Sequence, residues 1–245
     1  MTRYSRRVPL WLCTILWPGL IITGCHQPKD DGKYTHPGPP RTFAVAPFLN
    51  QSGSEFLDTI AVTDEFYTEL QQVEGLHVVP VNRVLASLGE MGRTQVGSPA
   101  EAIALLKELK ADSIIVGAIT QYDPYPPPKV GMAVQVYNRE KPKTPEQNAK
   151  FINPGALARQ DKPFSMAPGE PIRPQGAVVR IYDADQTDVI ENIKQYAKKR
   201  SGSERPTGWR NYTTTRNYLR FVSHEIIGEI LAQERNRLEA QTRGE

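Results

Sequence analysis

Cysteine is almost absent from this chain: two in 245 residues, Cys13 and Cys25, both close to the N-terminus. That excludes a disulfide framework, a zinc site built on thiolates and a thiol nucleophile in the body of the protein. Histidine is nearly as scarce. His26, His36, His77 and His224 are the full set, and none stands at motif spacing from a serine or carboxylate. A nucleophile, base and orienter are therefore not proposed by the sequence. A phosphate-cradling glycine loop is also missing, and no apolar run reaches the roughly 20 residues of a membrane-spanning helix. With no cofactor motif, no metal set and no catalytic constellation, the chain reads as a protein that is not an enzyme and works by binding.

What is present begins at the N-terminus. Arg3, Arg6 and Arg7 form a basic segment, and an apolar stretch from Val8 to Ile22 follows, interrupted by Pro9 and Pro18. It closes on Ile22-Thr23-Gly24-Cys25, which resembles the bacterial lipobox. The chemistry explains the pattern: the Cys25 thiol accepts a diacylglyceryl group, and the small Gly24 lets the peptidase reach the preceding bond. Residues 1–24 are thus expected to be a lipoprotein signal peptide. Removing three arginines from 30 basic side chains leaves 27 against 27 acidic ones. The sequence pI of 8.8 is then no argument for nucleic acid as a partner.

Residues 25–41 are expected to be the lipidated N-terminus and a flexible tether, rich in proline, glycine and charge. About 15 such residues reach at most roughly 50 Å, so the domain stays near its membrane. His26, where an aspartate would retain such a lipoprotein in the inner membrane, favours the periplasmic face of the outer membrane.

From residue 42 to about 240 the pattern is globular. Phe43 to Phe48 is a short apolar run consistent with a buried strand. A helix striped by Leu57, Ile60, Ala61, Phe66, Leu70 and Val73 follows, then a strand from Leu76 to Val81 and a short helix ending at Gly92. Ser98-Pro99-Ala100-Glu101 is a capping box with proline at the first helical position, and its helix should bury Ile103, Leu106 and Leu109. Ser113 to Tyr122 is the clearest strand. Val130, Met132, Val134 and Val136 alternate as in a half-buried strand. Residues 138–175 keep no period and read as a proline-rich insertion. Ala177 to Tyr182 is a strand, Asp185 an expected helix cap, and a long helix from Thr214 to Leu238 buries Leu219, Val222, Ile226 and Ile230. The order β-α-β-α-α-β-β-loop-β-α-α predicts the α/β class, one domain with a mixed sheet and helices packed on it.

Two segments carry a family resemblance: Phe43-Ala44-Val45-Ala46-Pro47-Phe48-Leu49-Asn50-Gln51-Ser52-Gly53, and the strand from Ala111 to Tyr122 introduced by Ala111-Asp112. Over roughly residues 42–137 the chain resembles a group of envelope proteins. It includes the curli secretion channel lipoprotein, the TolB N-terminal domain and the lipoprotein activators of penicillin-binding proteins. The resemblance implies an anticodon-binding-like fold. It also implies a non-catalytic scaffold or accessory factor for envelope assembly or secretion, acting through envelope protein partners or as a homo-oligomer. A regulator that activates a cell-wall synthase is the alternative. The insertion lacks the alternating polarity of a membrane hairpin, which argues against a pore.

One candidate surface remains. Between Lys194 and Arg220 eight basic residues meet a single acid, Glu204, with Trp209, Tyr212 and Tyr218 interleaved. Lys198, Lys199, Arg200, Trp209 and Arg210 are its expected centre, a composition suited to a protein partner or to lipid head groups. Asp183, Asp185 and Asp188 lack the glycine and distal glutamate of a calcium loop, and a strand end with a helix cap accounts for them.

Overall fold

The computed structural model describes residues 33–139, 173–201 and 208–243. The lipobox and most of the insertion lie outside these residues. The first apolar run becomes β1 (Arg41–Val45). Phe43 and Val45 enter one hydrophobic cluster while Ala44 and Ala46 enter another, all four buried. A strand buried on both sides needs cover on both faces, and the rest of the chain supplies it. In chain order follow β2 (Leu49–Asn50), α1 (Thr59–Leu70), β3 (Leu76–Val78), α2 (Val81–Glu90), α3 (Pro99–Glu108), β4 (Ser113–Asp123) and β5 (Lys129–Asn138). Then come β6 (Gly176–Asp183), α4 (Thr187–Ser201), a 3-10 turn (Trp209–Thr213) and α5 (Thr215–Arg243).

The sheet runs β3-β1-β4-β5-β6, with β2 also on β4. β1 is parallel to β3 and β4, whereas β5 is antiparallel to both of its neighbours, β4 and β6. The two parallel crossovers leave β1 and β3 in opposite directions across the sheet. A single right-handed sense then puts α1 on one face and α2 with α3 on the other. α1, α4 and α5 accordingly share the cluster of Phe66, Ile193, Phe221 and Ile226, and α2 and α3 share that of Leu88, Leu105 and Leu106. This is the expected α/β class, a mixed sheet with helices on it. Among the described residues no helix is long and apolar enough to cross a membrane.

Local signals act largely as read. Asp58, which the sequence reading did not single out, caps α1 by accepting from the backbone N–H of Ile60 and Ala61 at 3.0 Å. Ser98 accepts from Glu101 N at 3.3 Å, while the Glu101 carboxylate reaches back to Gly97 N at 2.8 Å. Gly92 ends α2 at φ +67°, a left-handed stop that favours glycine.

Several expectations are corrected. β5 is not half-buried: Ala133, Gln135 and Tyr137 are as enclosed as Met132 and Val134, because the strand lies between β4 and β6 with cover on both faces. α1 presents Val62, Glu65, Phe66 and Glu69 inward and leaves Ile60 and Ala61 out. α3 buries Leu105 with Leu106 and Leu109, and Ile103 only partly. β3 ends at Val78, and α5 runs five residues past Leu238 to Arg243. Asp185 does not cap α4; Ile190 N donates to Gln186 O, so the helix opens after Gln186.

The tether expectation changes most. His36 is 5% exposed. His36 N donates to Glu74 O at 2.9 Å, and Glu74 N donates to Tyr34 O at 2.8 Å. Residues 34–38 are therefore part of the domain, held by backbone pairing beside β3.

α5 covers the start of the β6 edge at Ala177. Gln233 accepts from Ala177 N at 3.1 Å and donates to Ala177 O at 2.9 Å, occupying the outward groups that a further strand would use. Space inside the sheet is equally tight. A methyl on Gly117 would stand 2.8 Å from Cδ1 of the buried Phe48 ring. Gly117→Ala is expected to cost about 1–3 kcal/mol by overpacking. Gly89→Ala, at an α2 position with no neighbour within 4 Å, should gain about 0.5–1 kcal/mol. Urea unfolding of both variants checks this.

Candidate functional site

Three helical ladders meet on the face covered by α1, α4 and α5. α1 supplies Glu65 and Glu69, α4 supplies Tyr196 and Arg200, and α5 supplies Arg216, Arg220 and His224. Each set repeats at four residues, so each lies along one side of its helix. Glu65 and Glu69 are each only 4% exposed. Buried carboxylates are tolerated only when paired and hydrogen-bonded, and here they are. Arg216 and Arg220 each donate through Nε to one oxygen of Glu65. Arg200 donates to Glu69 Oε2, and the Tyr196 hydroxyl donates to Glu69 Oε1 at 3.1 Å.

The electrostatics follow from that enclosure. Burial pushes the Glu69 carboxyl above its ordinary value, while Arg200, the Tyr196 hydroxyl and Arg220 pull it back. His224 sits with Nδ1 3.8 Å from Glu69 Oε2. Burial, with Arg200 and Lys199 nearby, pushes its pKa down to about 4, so the imidazole is neutral at neutral pH. Burial and the Glu69 charge push the Tyr196 phenol upward.

An aromatic box lines the same ground. Tyr196 lies 4.9 Å from the His224 ring and 5.2 Å, edge-on, from Tyr212. Tyr34 stacks on His224 with ring centroids 4.5 Å apart and planes 20° apart. It can approach because Gly228 has no side chain: a Cβ there would lie 2.7 Å from Tyr34 Cζ. Tyr34 is thus clamped onto the carboxylate–arginine centre.

The predicted basic–aromatic surface is brought together only in part. Lys198 and Lys199 are exposed in the last turn of α4. Arg200 turns inward to Glu69 and stacks its guanidinium 5.2 Å from the Tyr196 ring centroid. Trp209 is half-buried against the core, with Arg210 4.9 Å and Lys194 5.7 Å from its ring centroid. The lipobox residues Ile22, Thr23, Gly24 and Cys25 are outside the described residues. Asp183 is committed to Lys129 Nζ at 2.5 Å and accepts from Asp185 N at 3.1 Å, as a strand-end role requires. A cavity of about 20 Å³ beside His36, Asn138 and Glu234 has room for about one water.

Sequence reading missed Glu65, Glu69, His224 and Tyr34. The signal for the first three existed, as four-residue spacing of acids in α1 and of cations in α5. It was hidden because charges at that spacing usually face water.

No family model matches the sequence, and no curated protein matches it. Among solved structures, the chain is similar to the LpoB C-terminal domain from Salmonella enterica. There the identity is 13% over 41% of this chain and 73% of that one, with a TM-score of 0.35. It is similar to lipoprotein GNA1162 from Neisseria meningitidis at 14% identity, covering 59% and 81%, TM-score 0.35. The hypothetical protein CT253 from Chlamydia trachomatis is similar over 79% of this chain and 96% of its own, at 13% identity and a TM-score of 0.38.

Two outcomes test the energetics. Glu69→Ala removes the partner of a buried phenol and an arginine, and should cost about 2–4 kcal/mol in urea unfolding. Glu69→Gln keeps an acceptor for Tyr196 and should lose less. His224 has a folded pKa below its unfolded value, so the unfolded chain takes up the extra proton between about pH 4 and about 6.5. Its contribution is complete above that window and falls as the pH drops, by at most about 1.4 kcal/mol per unit. Glu69, shifted upward, has the opposite slope just above its ordinary value. The effect is therefore read between about pH 6.5 and 5.5, where His224→Phe should flatten the stability profile.

Proposed function

We propose that this protein is a lipid-anchored envelope protein, held through Cys25 on the periplasmic face of the outer membrane. It acts as a non-catalytic scaffold or accessory factor for an assembly or secretion system. The observation that carries this reading is the seat of Tyr34 on His224 and Gly228. The domain is built to grip the chain that follows the lipobox, as a protein positioned by its N-terminus requires. The titratable cluster supports binding over catalysis, because Glu65 and Glu69 are neutralised by three arginines and used in packing. Partners are envelope proteins or further copies of the chain.

With Tyr34 seated on the domain, the nine residues from Cys25 to Lys33 can span at most about 30 Å. That shorter reach weighs against activation of a cell-wall synthase held in the opposite membrane.

Metabolic labelling with an alkyne fatty acid tests the anchor. The wild-type chain should take up label and fractionate with outer membrane, and Cys25→Ser should lose both. Crosslinking of the tagged chain in intact cells tests the role. A homo-oligomer ladder or adducts with outer-membrane proteins support the scaffold. A dominant cell-wall synthase adduct replaces it with the regulator, and an absence of adducts removes both.

A further inference from the structure

β6 is the last strand on its side of the sheet, and its outer edge is closed only in part. Gln233 satisfies Ala177, and Arg180 turns its guanidinium back to donate to Val179 O at 3.1 Å. The register with β5 is unbroken from Gly176 to Asp183, so the residues whose backbone groups face away from β5 alternate. Those of Ala177 face away, and those of Val179, Ile181 and Asp183 therefore do too. Nothing among the described residues pairs with Ile181 on that side.

The side chains repeat the pattern. Val178 and Tyr182 enter the cluster under α4 and α5. Val179 and Ile181 face the other way, where the cluster under α2 and α3 reaches Tyr137 of β5 and includes no residue of β6. They are left 39% and 58% exposed. Native sheet edges are commonly guarded by charge or kept short, whereas this one carries two bare aliphatic side chains beside outward backbone groups.

α5 borders the same edge with one row of residues. Tyr182 packs edge-on against Phe221 with ring centroids 5.9 Å apart, Arg180 bonds Glu229 at 2.8 Å, and Ala177 meets Gln233. These α5 positions fall four apart on one side of the helix, and half-buried Glu225 is the member between Phe221 and Glu229. Burial and the Glu229 charge push its carboxyl upward, with Lys199 as the opposing cation.

We propose that the β6 edge pairs with the β6 edge of a second copy of this chain, antiparallel about a two-fold axis at Ile181. The register follows from what is closed and what is charged. With Ile181 opposite the partner's Ile181, Val179 faces the partner's Asp183 and Arg180 faces the partner's Tyr182. Arg180 then comes beside the partner's Glu225, and symmetry supplies the reciprocal pair. On the opposite face the exposed aliphatic side chains of the two chains meet. Centring the axis on Arg180 would set guanidinium against guanidinium, and centring it on Val179 would run the partner strand across Gln233. The pairing goes beyond the scaffold reading above and needs no lipid.

Both hydrophobic clusters are built within residues 34–231, so the chain from residue 26, which carries no lipid, is the test protein. Sedimentation equilibrium at about 0.1 mM, where a dimer of micromolar Kd is almost fully assembled, should return twice the monomer mass. Ile181→Lys sets like charges face to face at the axis and should weaken the dimer about ten-fold or more. Phe56→Lys, at a side chain 86% exposed in the turn before α1, should change it by less than about three-fold, because it lies off this edge. The chain from residue 26 holds no cysteine. Ile181→Cys should therefore link to itself on mild oxidation, since facing Cα atoms in such a pair stand about 5.5 Å apart, and Ala177→Cys should not. Circular dichroism confirms that each variant is folded. The proposal is overturned by a monomer at that concentration, by an oligomer that Ile181→Lys leaves intact, or by linkage through Ala177 in place of Ile181. Crosslinks from position 181 to a different envelope protein, with no homodimer, would give the edge to a foreign strand and overturn it as well. Failure of the fatty-acid label would remove the anchor reading and leave the dimer untouched.

Discussion

Two carboxylates buried one helical turn apart set the terms for a whole face of this molecule. Glu65 and Glu69 cannot be left without counter-charge in a region of low dielectric, where desolvation of each ion costs several kcal/mol. α1 contains no cation that could answer them. The arginines must come from α4 and α5, which lie more than a hundred residues later in the chain. Once Arg200, Arg216 and Arg220 are committed, the lateral positions of both helices follow. So does the placement of Tyr196, whose hydroxyl takes the remaining Glu69 oxygen, and of His224, which is kept neutral beside it. The apolar contacts of Phe66, Ile193 and Phe221 supply the larger share of stabilisation. The ion pairs decide which way each helix faces.

The same centre explains the N-terminal segment. A tyrosine stacked on a neutral imidazole gains aromatic contact without bringing a further charge into the cluster. A protonated His224 would sit near Arg200 and Lys199, and the seat for Tyr34 would carry repulsion with it. Gly228 completes the arrangement by omission. Residues 34–38, whose composition reads as linker, pack on the domain because Gly228 of α5 leaves room for Tyr34 and because the backbone N–H and C=O of Glu74 pair with them beside β3.

Much of the architecture is legible in sequence because it depends on local chemistry. The apolar run at Phe43–Phe48, the cap at Ser98, the stop at Gly92 and the stripe of α5 are each determined within one turn or strand. What escaped depends on neighbours distant in the chain. β5 alternates in side-chain size and so reads as half-exposed, yet β6 and the helices cover it. α1 is read with Ile60 inward because apolarity is assumed to mark the core, whereas Glu65 and Glu69 occupy that side once arginines arrive. Arg200 counted toward a surface patch until the fold gave it a buried partner. Lys198 and Lys199, in the same last turn of α4, are exposed.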